Sequence, residues 1–339
     1  MNTTNNDISV SVIIPAYNAR PLVGRAIESA LTQEPPPHEV IVINDGSDDG
    51  TADVARSYGE AITLIEQANQ GQGAARNAGL KLATGRFVAF LDADDYWAPG
   101  FLRATVDFLL EHENAMAVST GIVVRLWGKP ERRWPPAGAA AGADSPFRPR
   151  VLENFFDFWA RYDHMRTGAA LIRREVIERA GHQRADLRIS QDLEYWAYLA
   201  TWGKWGFIPD HLWIGDAAVA AAVQGWNRKY RDRRRLCPTI EQWESRILPR
   251  LAPEHKAGFE QVRGRVAAHF ALSRIKCGSA ADAWWIVSRY GAAMPVSWST
   301  KLMRWGLRAG YPGRKAAEVL IRMRERYVSM RINSLGERG

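Results

Sequence analysis

Residues 86–99 read RFVAFLDADDYWAP, an apolar run that ends in three aspartates out of four residues, Asp92, Asp94 and Asp95. Carboxylates this close repel one another, and one is pushed to hold its proton unless a cation sits among them. Oxygen ligands of this kind suit hard divalent ions, so the stretch offers a place for Mg²⁺ or Mn²⁺. Aspartate also closes strands in ordinary turns, and Asp95 reads equally well as a helix-side cap. The histidines show no HxH or HExxH spacing. His211, after GFIPD, is the best-placed third ligand.

The elements that must position this cluster follow from the local pattern. ISVSVII (8–14), EVIVIN (39–44), ITLIE (62–66) and the run 86–92 read as buried strands. Helical spacing over 19–33, 51–58, 71–85 and 99–112 separates them, and a further strand is expected over AMAVSTGIVVRL from 115. Strand and helix in alternation predict right-handed crossovers and a mostly parallel, Rossmann-like sheet with flanking helices. In such sheets ligands gather at the carboxyl ends of the strands. Three strands deliver polar groups there: Tyr17 and Asn18, then Asp45 and Ser47, then Asp92 and Asp94. Residues 128–150, rich in Pro, Gly and Ala, read as a mobile loop. SQDLEYWAYLAT (190–201) reads as a helix with Ser190 as N-cap. After 217 the chain reads as mostly helix, so the expected domains are 1–216 and 217–339.

The chain has 339 residues and a formal charge of +8, unevenly placed. Residues 221–339 hold 24 Lys and Arg against 9 Asp and Glu, which leaves the front of the chain acidic. A basic region attracts nucleic acid, anionic lipid or a phosphorylated substrate. Two cysteines, Cys237 and Cys277, give neither a disulfide framework nor a metal spacing, as expected for a reducing, cytoplasmic location. No stretch is apolar over the roughly 18 residues a membrane span needs, and the N-terminus lacks the pattern of a secretory signal.

Taken in order, VSVIIPAYNA, EVIVINDGSDDGT, GAARNAGL and FVAFLDADDYWAP resemble the family 2, GT-A fold, inverting glycosyltransferases. The resemblance is close over 8–102 and weaker to about 216. It implies a nucleotide-diphosphate-sugar donor, here a UDP-sugar, and transfer to a glycan or lipid-linked glycan in bacterial surface polysaccharide assembly. Transfer to a polyprenyl phosphate, a small molecule or a protein is the alternative. Carried over by position, Pro15 and Tyr17 fall in the base-packing motif and Asp45 would accept the pyrimidine N–H. Arg76 would lie near the base or the phosphates. Asp92–Ala93–Asp94 matches the DxD motif, with Asp94 on the metal and Asp92 on ribose or metal. The acidic residue that takes the acceptor's proton corresponds to Asp192 in SQDLEYW, where the family usually has ED. Glu194, about 200° further round the helix, is the fallback.

The back of the chain carries less specific signals. GWNRKYRDRRR (225–235) is a solvated helix face, a lipid contact, or a segment whose Arg228 and Lys229 close over the diphosphate. AWWIVSRY (283–290) and WSTKLMRWGLR (298–308) interleave Trp with Arg and Lys, the pattern of an interfacial helix on an anionic membrane. The rival from another class is a basic nucleic-acid-binding protein. The acidic front, with carboxylates meeting at strand ends, argues against it.

Overall fold

The computed structural model describes residues 8–125, 130–136, 138–139, 145, 147–216, 234–277 and 280–336, with backbone alone at 234 and over 325–336. The chain divides into two compact units, Met1–Asp186 with Gln191–Val223, and Leu187–Ser190 with Gln224–Gly339.

The first unit opens as a βα repeat: β1 (Val10–Ala16), α1 (Arg20–Leu31), β2 (Glu39–Asn44), α2 (Thr51–Arg56), β3 (Thr63–Glu66), α3 (Gln72–Leu80) and β4 (Phe87–Phe90). It continues through β5 (Asp95–Trp97), α4 (Phe101–Glu111), β6 (Ala115–Arg125), β7 (Arg132–Trp134), β8 (Arg150–Val151) and α5 (Phe155–Tyr162). β9 (Ala170–Arg173), α6 (Arg174–Ala180), α7 (Gln191–Leu199) and β10 (Lys204–Asp216) complete it. One curled sheet takes the order β3-β2-β1-β4-β9-β6-β10-β5, with β7 beside β6 and β8 beside β10.

From β3 to β4 every pairing is parallel. Each of those strands reaches the next through a helix, and such a crossover returns the chain in the same direction. Beyond β4 the alternation of strand and helix lapses, and β9 enters antiparallel between β4 and β6. The sheet is therefore mixed, with its parallel half carrying the motifs. β1 is buried along its whole length, as a strand covered on both faces must be. Val12, Ile14, Val40, Val42, Phe87 and Ala89 share one core with Val23, Ala26, Ile27 and Ala30 of α1. α3 lies hard against β1 at Gly79, where a Cβ would stand 2.5 Å from Ile13 Cγ2.

Two local expectations are corrected. Within the stretch expected to be a loop, Arg132–Trp134 form β7, paired antiparallel with Ile122–Val124 of β6. The cause is Trp134, whose ring packs among Phe147, Phe158, Tyr162, His164 and Phe207. Ser190 precedes α7 with φ 54°, a left-handed backbone rather than the extended one of an N-cap.

The second unit is helical, as expected: α8 (Ile240–Glu244), α9 (Lys256–Cys277), α10 (Ala280–Tyr290), α11 (Trp298–Arg308) and α12 (Gly310–Gly336). Thr239 and Gln242 close a capping box on α8, and Trp243 stacks on Phe259 with centroids 6.0 Å apart. Trp243 Nε1 donates to the Ser190 carbonyl at 3.1 Å, which takes up that irregular turn. Among the described residues no helix is long and apolar enough to cross a membrane.

Candidate active site

The loops after β1 and β2 are latched to each other. The Asn18 N–H donates to Ser47 Oγ at 2.9 Å, and Asn18 Nδ2 to Asp48 Oδ1 at 2.7 Å. The Asp48 N–H returns a bond to Asn18 Oδ1 at 3.0 Å, and the Ala19 N–H donates to Thr51 Oγ1 at 2.8 Å. The reciprocal bonds hold Asn18 at φ 48°, a left-handed conformation that asparagine tolerates better than most residues. Beside this latch Tyr17 stands 45% exposed. Pro15 lies buried inside β1 opposite Ile43 and supports the turn from within.

Asp45, at the end of β2, is 3% exposed and accepts three hydrogen bonds. Gln67 Nε2 and the Gln70 N–H reach Oδ1 at 2.7 and 2.8 Å, and the Gly71 N–H reaches Oδ2 at 2.7 Å. An ionised carboxylate offers about four acceptor positions, so the described partners leave about one. The bond to Gly71 also fixes the start of α3.

α3 carries Arg76, which is 1% exposed. Its Nη2 meets Asp92 Oδ1 at 2.5 Å, and its Nη1 donates to Gln183 Oε1 at 3.3 Å. The buried arginine holds half-buried Asp92 in place just after β4. Asn77 and Gln183 exchange two bonds, Asn77 Nδ2 to the Gln183 carbonyl at 2.8 Å and the Gln183 N–H to Asn77 Oδ1 at 3.0 Å. Gln191 Nε2 donates to Gln72 Oε1 at 3.1 Å. The first turn of α7, with half-buried Asp192, is thereby fastened to the first turn of α3. Glu194 is 0% exposed and faces the interior, so it is the poorer fallback.

The remaining carboxylates are crowded. Burial and then the charge of Asp92 push the Asp94 carboxyl up to about 6, with Arg25 and Arg76 opposing. Asp95 is pushed well above the ordinary range by burial and then by Asp94 and Asp92, against Arg25 and Arg166. Arg25 of α1 is the residue that the motifs do not reveal. Its Nη2 donates to the Asp94 carbonyl at 3.2 Å, its Nη1 pairs with Asp216 at 2.9 Å, and its guanidinium lies 4.3 Å over the Tyr96 ring. Its signal in the sequence is slight, a charge between Val23 and Ala26 at the border of a buried helix face.

Among the described residues no three His, Cys, Asp or Glu side chains form a group able to hold a metal. His211 joins no such set, because its Nε2 sits 2.6 Å from the Pro135 carbonyl. The donor chemistry still fits Mg²⁺ or Mn²⁺, which bind through one or two carboxylates and complete their shell with water and substrate phosphate. A cation beside Asp94 relieves the repulsion that raises it. Ala93, 5% exposed, spaces the two aspartates. Arg228 and Lys229 lie outside the described residues.

Comparison with known proteins bears on the family and the fold. Residues 11–181 match the family model described as "Glycosyl transferase family 2". YibD of Escherichia coli, named a glycosyltransferase, is 42% identical over 116 residues, covering 33% of this chain and 33% of that protein. TuaG of Bacillus subtilis, a glycosyltransferase named for teichuronic acid biosynthesis, is 39% identical over 119 residues, covering 34% and 47%. The chain thus aligns with between a third and a half of the length of these relatives. The crystal structure of S. aureus TarS 1-349 in complex with UDP-GlcNAc superposes with a TM-score of 0.61 at 18% identity, covering 94% of this chain and 92% of that one. At that identity the likeness concerns the fold.

Proposed function

Because the chain belongs to glycosyl transferase family 2, we propose that it is an inverting, metal-dependent glycosyltransferase that uses a UDP-sugar. The observation that carries this reading is one connected network: Asp45 to Gly71 at the start of α3, Gln72 to Gln191 beside Asp192, and Arg76 to Asp92. It joins the groups that would read a nucleotide to a carboxylate able to accept a proton. Residues 1–216 form the donor-binding and catalytic region in this reading, and 217–339 a helical region that contacts acceptor or membrane.

Tyr17, supported by Pro15, packs on the base, and the spare acceptor position of Asp45 takes the pyrimidine N–H. Asp92, with Ala93 beside it, faces ribose or metal. Asp94 is the ligand to Mn²⁺ or Mg²⁺, which when bound offsets the charge that develops on the departing diphosphate. Arg76 acts through Asp92, and Arg228 and Lys229 close over the diphosphate. Asp192 accepts the proton of the acceptor hydroxyl as that oxygen bonds to the anomeric carbon. The bond from that carbon to the phosphate oxygen breaks on the opposite face, and UDP leaves.

The acceptor is a glycan hydroxyl, lipid-linked or free, in bacterial surface polysaccharide assembly at the cytoplasmic side of the membrane. A relative named for teichuronic acid biosynthesis and a neighbouring fold that binds UDP-GlcNAc support this reading. Calorimetry of the full chain with UDP, with and without Mn²⁺, tests the donor site. Micromolar, metal-dependent binding is expected. Silence toward UDP, dTDP and GDP overturns the reading.

A further inference from the structure

The second unit turns apolar side chains outward. On α11 the buried residues are Thr300, Met303 and Gly306. At 100° per residue the opposite face carries Trp298 and Trp305, 46% and 50% exposed, with half-buried Leu302 between them. Exposed Lys301 and Arg308 flank these on one side. α12 repeats the pattern, with Val319, Leu320 and Met323 at 55%, 45% and 61% exposure and Tyr311 at 66%. Trp285 of α10 is 49% exposed. An ordinary surface helix has the reverse arrangement, polar outward and apolar inward.

The rotation of α11 is fixed by its packing. Ser297 and Thr300 close a capping box at its start. A Cβ at Gly306 would meet Ala317 Cβ and Trp284 at 3.0 Å, so α11 lies tight against its neighbours there. Trp284 Nε1 donates to buried Glu318 at 2.8 Å. Arg304 donates to the carbonyls of Gly291 and Met294 at 2.9 and 2.6 Å. The outward tryptophans are therefore built in.

We infer that the exposed faces of α10, α11 and α12 dock on a bilayer surface that carries anionic lipid. Charge complementarity selects this occupant. Among the described side chains from 280 to 324, six exposed Lys or Arg stand against one exposed carboxylate, Asp282. Cations lie over the aromatic rings, Arg324 at 4.7 Å from Trp298 and Lys315 at 5.7 Å from Tyr311. Trp and Tyr at headgroup depth beside Lys and Arg are what an interfacial helix requires. A second copy fits poorly, because a two-fold interface sets the same patch against itself and brings like charges together. Single-stranded nucleic acid stacks on aromatic rings, yet gains little from Val319, Leu320 and Met323. The inference stands apart from the proposed reaction.

Flotation of the full chain with vesicles of phosphatidylcholine, alone or mixed with phosphatidylglycerol, tests it. Binding is expected to the mixed vesicles only and to weaken with salt. Trp298→Ser/Trp305→Ser and Lys301→Glu/Arg308→Glu should each lower partitioning by about tenfold or more, with thermal unfolding unchanged. Three outcomes overturn the inference: no binding to mixed vesicles, equal binding to phosphatidylcholine alone, or wild-type binding by both double variants. In the first case, a dimer or a salt-sensitive RNA complex that the same substitutions abolish would identify the occupant instead.

Discussion

The two units break the ordinary rule of burial in opposite directions. The first draws carboxylates inward, with Asp45 3% exposed and Asp94 pushed up to about 6. The second leaves Trp298, Trp305 and Met323 about half exposed. In the first unit the neighbours answer part of the violation: Arg76 neutralises Asp92 and three donors satisfy Asp45. Among the described residues no arginine side chain pairs with the Asp94 carboxylate, and Arg25 reaches its backbone carbonyl. In the second unit the cations lie over the rings and leave the apolar area open. A folded chain tolerates such costs where a ligand later removes them. The expected ligands therefore differ in kind: a compact cation with a diphosphate for the first unit, and an extended anionic surface for the second.

The sharpest way to break the comparison is Asp94→Asn. It removes the carboxylate whose crowding calls for a cation, and turnover should fall about 10³-fold or more, because several kcal/mol of charge stabilisation goes with the metal. Metal-dependent UDP binding should vanish in the same calorimetric titration. Unchanged turnover would falsify the metal assignment. Asp192→Asn should cut turnover by about 10² or more while donor affinity stays within about twofold of wild type, since the base meets the acceptor and not the nucleotide. Weakened UDP binding would move Asp192 into the donor site.

Much of the first unit was legible because its cause is local. EVIVIN forms β2 over the residues read from the pattern, and the aspartates stand at the end of β4 because apolar residues run straight into them. The partners of those motifs were not legible. Arg76 meets Gln183 across 107 positions, and Arg25 meets Asp216 across 191. No periodicity carries such pairings; they follow from where the sheet brings the chain back. β9 was hidden for the same reason, since four residues acquire their place only between β4 and β6. Periodicity marks the face that Trp298 and Trp305 share, but only packing at Gly306 decides whether that face is core or surface.

A paired measurement sharpens the comparison in stability. Arg76→Met leaves half-buried Asp92 without its partner, and losing a charged hydrogen-bond partner there costs about 2 kcal/mol or more. Trp305→Ser alters a side chain already half exposed, and its cost should stay within about 1 kcal/mol. Urea unfolding of the two variants beside wild type reads both values. Equal costs would mean that Trp305 is packed and the outward face is not free.

The smallest expected effect concerns pH. Asp94 is raised from 3.8 to about 6 in the folded protein, by burial and then by Asp92. Between those values the folded protein holds a proton that the unfolded chain has released. Stability without metal should therefore fall as pH rises from about 4 to about 6, by on the order of 1 kcal/mol. A group held below its ordinary value gives the opposite slope, and Glu39 is one. Its burial is outweighed by bonds from the Thr84 backbone and the Ser11 hydroxyl. Buried Glu244 of the second unit is raised, like Asp94. The wild-type slope is thus a sum, and the difference from Asp94→Asn isolates the cluster. That variant also relieves Asp95, so the difference reports the pair. Urea midpoints across the window should diverge between the two proteins as pH rises, with wild type losing more. Mn²⁺ with UDP should close the gap by stabilising wild type alone, because only there does a cation meet the crowded carboxylate. Parallel curves without ligand would mean that the folded protein spreads the charge of Asp94 without a cation, and the contrast between the two units would then rest on the second alone.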